Sequence, residues 1–117
     1  MSKVKRKLTT ILATDCVGFS KRMDENEELT LENLKACRSI IDPQIKEFGG
    51  RIFYTAGDSV IAEFESPVEC VNAAIGFQKA INDRNNTIPQ ESRLDWRVGV
   101  HLDDVIIEGD NVYGNGV

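Results

Sequence analysis

The chain has 117 residues, of which 41% are hydrophobic, and a formal charge of −5. This is one small domain or part of one, with enough apolar material for a modest core, which excludes an intrinsically disordered chain. The acidic balance argues against nucleic-acid binding, which is driven by lysine and arginine neutralising phosphates.

In chain order, residues 1–6 with Lys7 carry the one basic cluster (Lys3, Lys5, Arg6, Lys7) and read as a solvated tail. Leu8 to Thr14, mostly apolar and β-branched and closed by Asp15 and Gly18, reads as a buried strand. Leu31, Leu34, Ile41, Ile45 and Phe48 share one helical stripe, so a long amphipathic helix is expected from about Glu27 to Phe48, ended by Gly49-Gly50. Pro43 is expected to kink or divide it.

Arg51–Thr55 and Ser59–Phe64 read as a hairpin joined at Ala56-Gly57-Asp58. Ser66, Pro67 and Glu69 have the spacing of a helix start, with an N-cap, a proline at the first position and a glutamate at the third. The helix should run to about Asn85, with Val68, Val71, Ile75 and Ile81 inward and Ala73, Ala74 and Gly76 allowing close packing. Leu94, Trp96, Val98 and Val100 then alternate with polar residues as a strand, with Trp96 as a core anchor. Val105–Ile107 is expected as its hairpin partner, with Asp103-Asp104 in a tight solvated turn and Glu108 to Asn111 as a further turn.

This order predicts an α+β fold: a ferredoxin-like antiparallel sheet with helices on one face. In that topology the third strand lies between the first two, which brings Asp15 and Asp58 to one edge of the sheet. Paired carboxylates at strand ends suit a magnesium site, since Mg²⁺ takes one or two protein carboxylates and completes its shell with phosphates and water. The amides of Val17 to Ser20, beside the sharp turn at Gly18, are placed to face a triphosphate. Taken singly, each aspartate is equally a turn residue.

Cys16, Cys37 and Cys70 are widely spaced and form no CxxC pair, so neither disulfides nor zinc are expected, and a reducing compartment fits. Cys16 reads as a small buried hydrophobe. No apolar run approaches the roughly 18 residues of a membrane span, and the start lacks a signal peptide's apolar core, so a cytoplasmic location without membrane contact is expected. His101 falls on the solvent side of its strand with no second histidine nearby in sequence, which favours no catalytic or metal role.

Asp15-Cys16-Val17-Gly18-Phe19-Ser20 resembles the metal-binding strand end of class III adenylate/guanylate cyclase catalytic domains. Gly49-Gly50, Gly57-Asp58, Ile61-Ala62-Glu63-Phe64, Arg97-Val98-Gly99-Val100-His101 and Val112-Tyr113-Gly114-Asn115-Gly116-Val117 follow in that family's order. The resemblance covers 7–117 and is nearest to bacterial members with an N-terminal catalytic domain. It implies an incomplete nucleotidyl cyclase fold that converts ATP, or less readily GTP, to a 3′,5′-cyclic nucleotide and pyrophosphate. Asp15 and Asp58, assisted by the Cys16 carbonyl, would hold two Mg²⁺ or Mn²⁺ ions, while Val17, Gly18, Phe19, Ser20 and Gly57 line the substrate. It also implies a head-to-tail homodimer with a shared site, and Tyr113 is expected near that interface.

Departures from the family pattern bear on activity. Tyr54 stands where adenylyl cyclases carry a base-selecting lysine, and Asn111 where they carry an aspartate; neither matches the guanylyl cyclase pair. Asp103 replaces a common glycine. The family's transition-state asparagine and arginine fall beyond Val117, so this exact chain is expected not to turn over. Two other readings are a degenerate cyclase homology domain that dimerises or senses nucleotide, and an unrelated ferredoxin-like interaction module.

Overall fold

In a computed structural model, which describes residues 4–108 and 111–114, two long antiparallel strands form the spine of a five-stranded sheet. The elements are β1 (Val4–Cys16), α1 (Phe19–Glu25), α2 (Glu27–Glu47), β2 (Arg51–Ala56), β3 (Ser59–Phe64), α3 (Pro67–Asn85), β4 (Trp96–Glu108) and β5 (Asn111–Tyr113). The sheet order is β2-β3-β1-β4-β5, antiparallel throughout, so the third strand does lie between the first two. The fold is the α+β arrangement expected.

Successive strand residues point to opposite faces, and the sheet uses the two faces differently. Leu12 and Cys16 of β1 with Val60, Ala62 and Phe64 of β3 join Cys37, Ile41 and Ile45 of α2 and Cys70, Ala73, Phe77 and Ile81 of α3 in the main core. The opposite face holds a smaller cluster of Ile11, Val105 and Val112, with Phe53 and Ile61 packed against it and no helical residue among its members. Phe53 of β2 packs against this cluster and lines one cavity with Val112 of β5, although these strands form the two edges of the sheet, so the edges approach each other across the open face.

Several local expectations hold for stated reasons. α2 closes in a Schellman motif: Gly50 donates to the Ile45 carbonyl at 2.8 Å and Gly49, with φ 82°, to that of Lys46 at 3.1 Å. A β-carbon on Gly50 would lie 2.5 Å from the Phe64 ring, so only glycine lets this turn seat against the core. Ser66 caps α3 by accepting from the Glu69 amide at 3.2 Å, with Pro67 in the first turn. β2 and β3 pair as expected, with a register shift at Phe53.

Other expectations are corrected. Pro43 does not divide α2, which runs through it as one element with Ile41 and Ile45 on either side buried in the core; Leu31 is exposed. A separate short helix, α1, precedes it, divided from it by Asn26, which caps α2 by accepting from the Leu29 amide at 3.1 Å. On α3, Val68, Val71 and Ile75 face outward, Val68 at 67% and Ile75 at 61% exposure. The inward stripe is instead Cys70, Ala73, Phe77 and Ile81, since the smaller Cys70 and Ala73 allow the helix to approach the sheet and α2.

β1 begins at Val4, so the last three residues of the expected tail are paired with β4; Arg6 bridges Asp104 at 3.0 Å. The same pairing corrects β4. Because β1 is long enough to template it from Cys16↔Trp96 to Val4↔Glu108, Asp103 and Asp104 sit within one continuous strand and not in a turn. Val105–Ile107 belongs to that strand, and its hairpin partner is β5. Gly109 and Asp110 of the expected turn, and Asn115 to Val117, lie outside the described residues. Trp96 is buried as expected, while Val100 is exposed.

Candidate functional site

β1 and β3 run antiparallel with Thr14 opposite Val60, which brings the end of β1 beside the turn that opens β3. Asp58 occupies that turn, and its Oδ2 accepts the Cys16 backbone N–H at 2.8 Å. Gly57, with φ 56°, supplies the left-handed residue that a two-residue hairpin turn needs. Asp15 therefore lies next in the chain to the residue that Asp58 holds. The juxtaposition inferred from strand order is present as a hydrogen bond between the two segments.

Alternation separates the neighbours. Cys16 is buried at the core, while Asp15 belongs to the opposite set with Arg97, its cross-strand partner on β4. Arg97 grips Asp15 with both ends of its guanidinium, Nε to Oδ1 at 2.9 Å and Nη2 to Oδ2 at 3.2 Å. The hydrogen bond to Asp15 raises the Arg97 pKa further, with the Asp15 charge next in weight and a smaller push from Asp58. Burial, then the Asp58 charge, pushes the Cys16 thiol up to about 12, so it is an inert thiol and only its backbone faces the site.

Gly18, with φ 65° and ψ 29°, turns the chain out of β1 and stands at the N-cap of α1. No side chain caps this helix, so the amides of its first turn, at Phe19 and Ser20, are uncapped by protein side chains. Val17 is anchored from the other side, its amide donating to the Asp95 carbonyl at 2.8 Å. Phe19 packs on the main core, which fixes the turn to the sheet.

A cleft of about 270 Å³ opens beside Asp15, walled by Thr14, Ser59, Val60, Ile61, Arg97 and Gly99. A second cavity, about 440 Å³, is lined by Phe53, Tyr54, Ile61, Asn111, Val112 and Tyr113. The two share Ile61, so both lie on the open face. Tyr54 and Asn111, far apart in sequence, thus meet across one aromatic-walled cavity. Nothing in the sequence marks Arg97 as a site residue beyond its place in the Arg-Val-Gly-Val-His stretch; its grip on Asp15 follows only from β1–β4 register.

Among the described residues no group of three or more His, Cys, Asp or Glu side chains is placed to hold a metal ion. Two carboxylates with a backbone oxygen would suit Mg²⁺ or Mn²⁺ that shares its shell with phosphates and water, and not a cation that needs a full protein cage. Among the same residues no helix is long and apolar enough to cross a membrane.

The order of strands, with one carboxylate at the end of β1 and one in the β2–β3 turn, matches a domain of nucleotidyl cyclase architecture, and comparison with known proteins gives its family. The chain is 36% identical over 115 residues to the Rhizobium meliloti (strain 1021) protein named "Putative adenylate cyclase 3", covering 97% of this chain and 20% of that one. The crystal structure of an adenylate/guanylate cyclase/hydrolase from Silicibacter pomeroyi superimposes with a TM-score of 0.88 at 32% identity, over 97% of this chain and 66% of that one. A serine/threonine-protein kinase, pkn2 of Myxococcus xanthus, is 31% identical over 114 residues, 97% of this chain but 14% of the kinase. No family model matches the chain. The chain belongs to the class III adenylate/guanylate cyclase family, and spans a fifth or less of the curated relatives it matches.

Proposed function

We propose that this domain binds a nucleoside triphosphate with divalent cations at Asp15 and Asp58 and, in its complete assembly, closes it to a 3′,5′-cyclic nucleotide. The observation that carries the reading is the hydrogen bond from the Cys16 amide to Asp58, which joins the two carboxylate-bearing segments at one sheet edge. Bound there, Mg²⁺ or Mn²⁺ would lower the pKa of the ribose 3′-hydroxyl and neutralise the phosphates.

The chain's own residues do the rest by positioning. Asp58 is oriented by the Cys16 amide, so one carboxylate oxygen is fixed without spending a charged partner. The left-handed turn at Gly18 leaves the amides of Phe19 and Ser20 uncapped by side chains, free to donate to phosphate oxygens. Positioning and charge neutralisation dominate phosphoryl chemistry, so no protein nucleophile is required. Tyr54 and Asn111 line a cavity with aromatic and aliphatic walls that suits a flat purine, and both carry groups that donate and accept.

A head-to-tail homodimer is supported by the open sheet face. Both cavities lie on that face, and Tyr54 and Tyr113 are half exposed beside them, so a second copy laid over it would close both at once. Activity should then depend on protein concentration.

The test, made on a chain that also carries the family's transition-state asparagine and arginine, is Mn²⁺-dependent binding of ATP and GTP, with product analysis for cyclic nucleotide, comparing wild type with Asp58→Asn. Binding and cyclic product that both vanish in Asp58→Asn support the reading. Cation-dependent binding without product, from a folded dimer, favours a sensing domain, the second reading to which Tyr54 and Asn111 point. Nucleotide binding indifferent to both Mn²⁺ and Asp58 would overturn the site.

A further inference from the structure

The two carboxylates of the candidate site are held in unlike ways. Asp58 is oriented by an uncharged backbone N–H, whereas both oxygens of Asp15 are engaged by a guanidinium that carries a full positive charge. A divalent cation on Asp15 needs those same oxygens, and Arg97 beside it would add charge repulsion. One carboxylate is open to a cation and the other is occupied by a built-in competitor.

We propose that Arg97 is a positioning residue that competes with the divalent cation for Asp15, keeping the nucleotide-free site weak for metal, an inference that rests on the metal reading of Asp15 and Asp58 above. The side chain is able to leave. It is 68% exposed, so swinging outward uncovers no core. The Arg97 backbone stays in place meanwhile: it pairs with Asp15 across β1 and β4, and its carbonyl accepts the Thr14 hydroxyl at 2.7 Å. Cation binding therefore begins at Asp58 and reaches Asp15 only as Arg97 is displaced, and the released guanidinium remains tethered beside the cleft it lines.

Mn²⁺ binding to the nucleotide-free chain, followed by the electron paramagnetic resonance signal of free Mn²⁺ at low ionic strength, tests this. Arg97→Gln should bind Mn²⁺ about three- to tenfold more tightly than wild type, with the gap narrowing as salt screens the competing charge. Arg97→Lys, which keeps the charge but not the two-pronged grip, should fall between them, and far-ultraviolet circular dichroism checks that each variant is folded. Asp58→Asn should weaken binding in either background.

If Arg97→Gln binds no more tightly than wild type while Asp58→Asn still weakens binding, competition is overturned and the metal site stands. If neither wild type nor Arg97→Gln binds Mn²⁺, or Asp58→Asn changes nothing, both fall.

Discussion

The covered and open faces of the sheet are built from the same strands and carry opposite kinds of chemistry. Against the helices, Leu12, Val60, Ala62 and Phe64 meet Ile41, Ile45, Phe77 and Ile81 with almost no solvent access, and all three thiols are buried. On the other face, Asp15 of β1, Ile61 of β3 and Arg97 of β4 are grouped around one cleft. Period-two alternation lets a strand hold the fold on one side and a site on the other, so stability and chemistry should respond to different substitutions.

The largest effect should come from the covered face. Phe77 is fully buried, and Phe77→Ala should lower unfolding free energy by about 3–5 kcal/mol, read as the urea midpoint, for the transfer and cavity terms together. Gly50→Ala drives a methyl into the Phe64 ring and Ile45 and should cost about 1–3 kcal/mol in the same measurement.

The covered-face thiols give a gentler, pH-dependent effect. Burial raises all three, Cys16 to about 12 and Cys70 to about 11, above the roughly 8.5 of an exposed thiol. Above that value the unfolded chain has lost protons that the folded chain keeps, so stability is fully present below about pH 8.5 and falls as pH rises toward the folded values. Thermal unfolding temperature should decline over that range, and Cys70→Ala should flatten the decline.

The smallest stability change belongs to the open face. Asp15→Asn removes one exposed ion pair and should leave the unfolding temperature nearly unchanged, while cation-dependent nucleotide binding is lost. A substantial fall in melting temperature instead would show that the open face also carries the fold, and the division between faces would fail.

Much of this was legible because it is local. The Ser66-Pro67-Glu69 helix start, the Gly49-Gly50 stop and the hairpin at Gly57-Asp58 are set by backbone chemistry within a few residues, and each appears where the sequence puts it. Two of the corrections are cases where a distant partner prevailed. Val68, Val71 and Ile75 have a better apolar stripe than Cys70 and Ala73, yet close helix packing selects the smaller residues. Asp103-Asp104 looks like a turn until a thirteen-residue β1 pairs with the whole of β4.

Apart from α1 and the division between β4 and β5, the sequence by itself determined the element order, and with it the α+β sheet and the approach of the Asp15 and Asp58 segments, because strand order follows from alternating periods and short connections. Only the tertiary structure decided what each carboxylate touches. Asp58 on the Cys16 amide, Asp15 in the grip of Arg97, and Tyr54 facing Asn111 across a cavity depend on cross-strand register and on the two sheet edges approaching each other across the open face. Register is a relation between segments far apart in the chain, fixed by the packing of the whole sheet and by no single stretch of it.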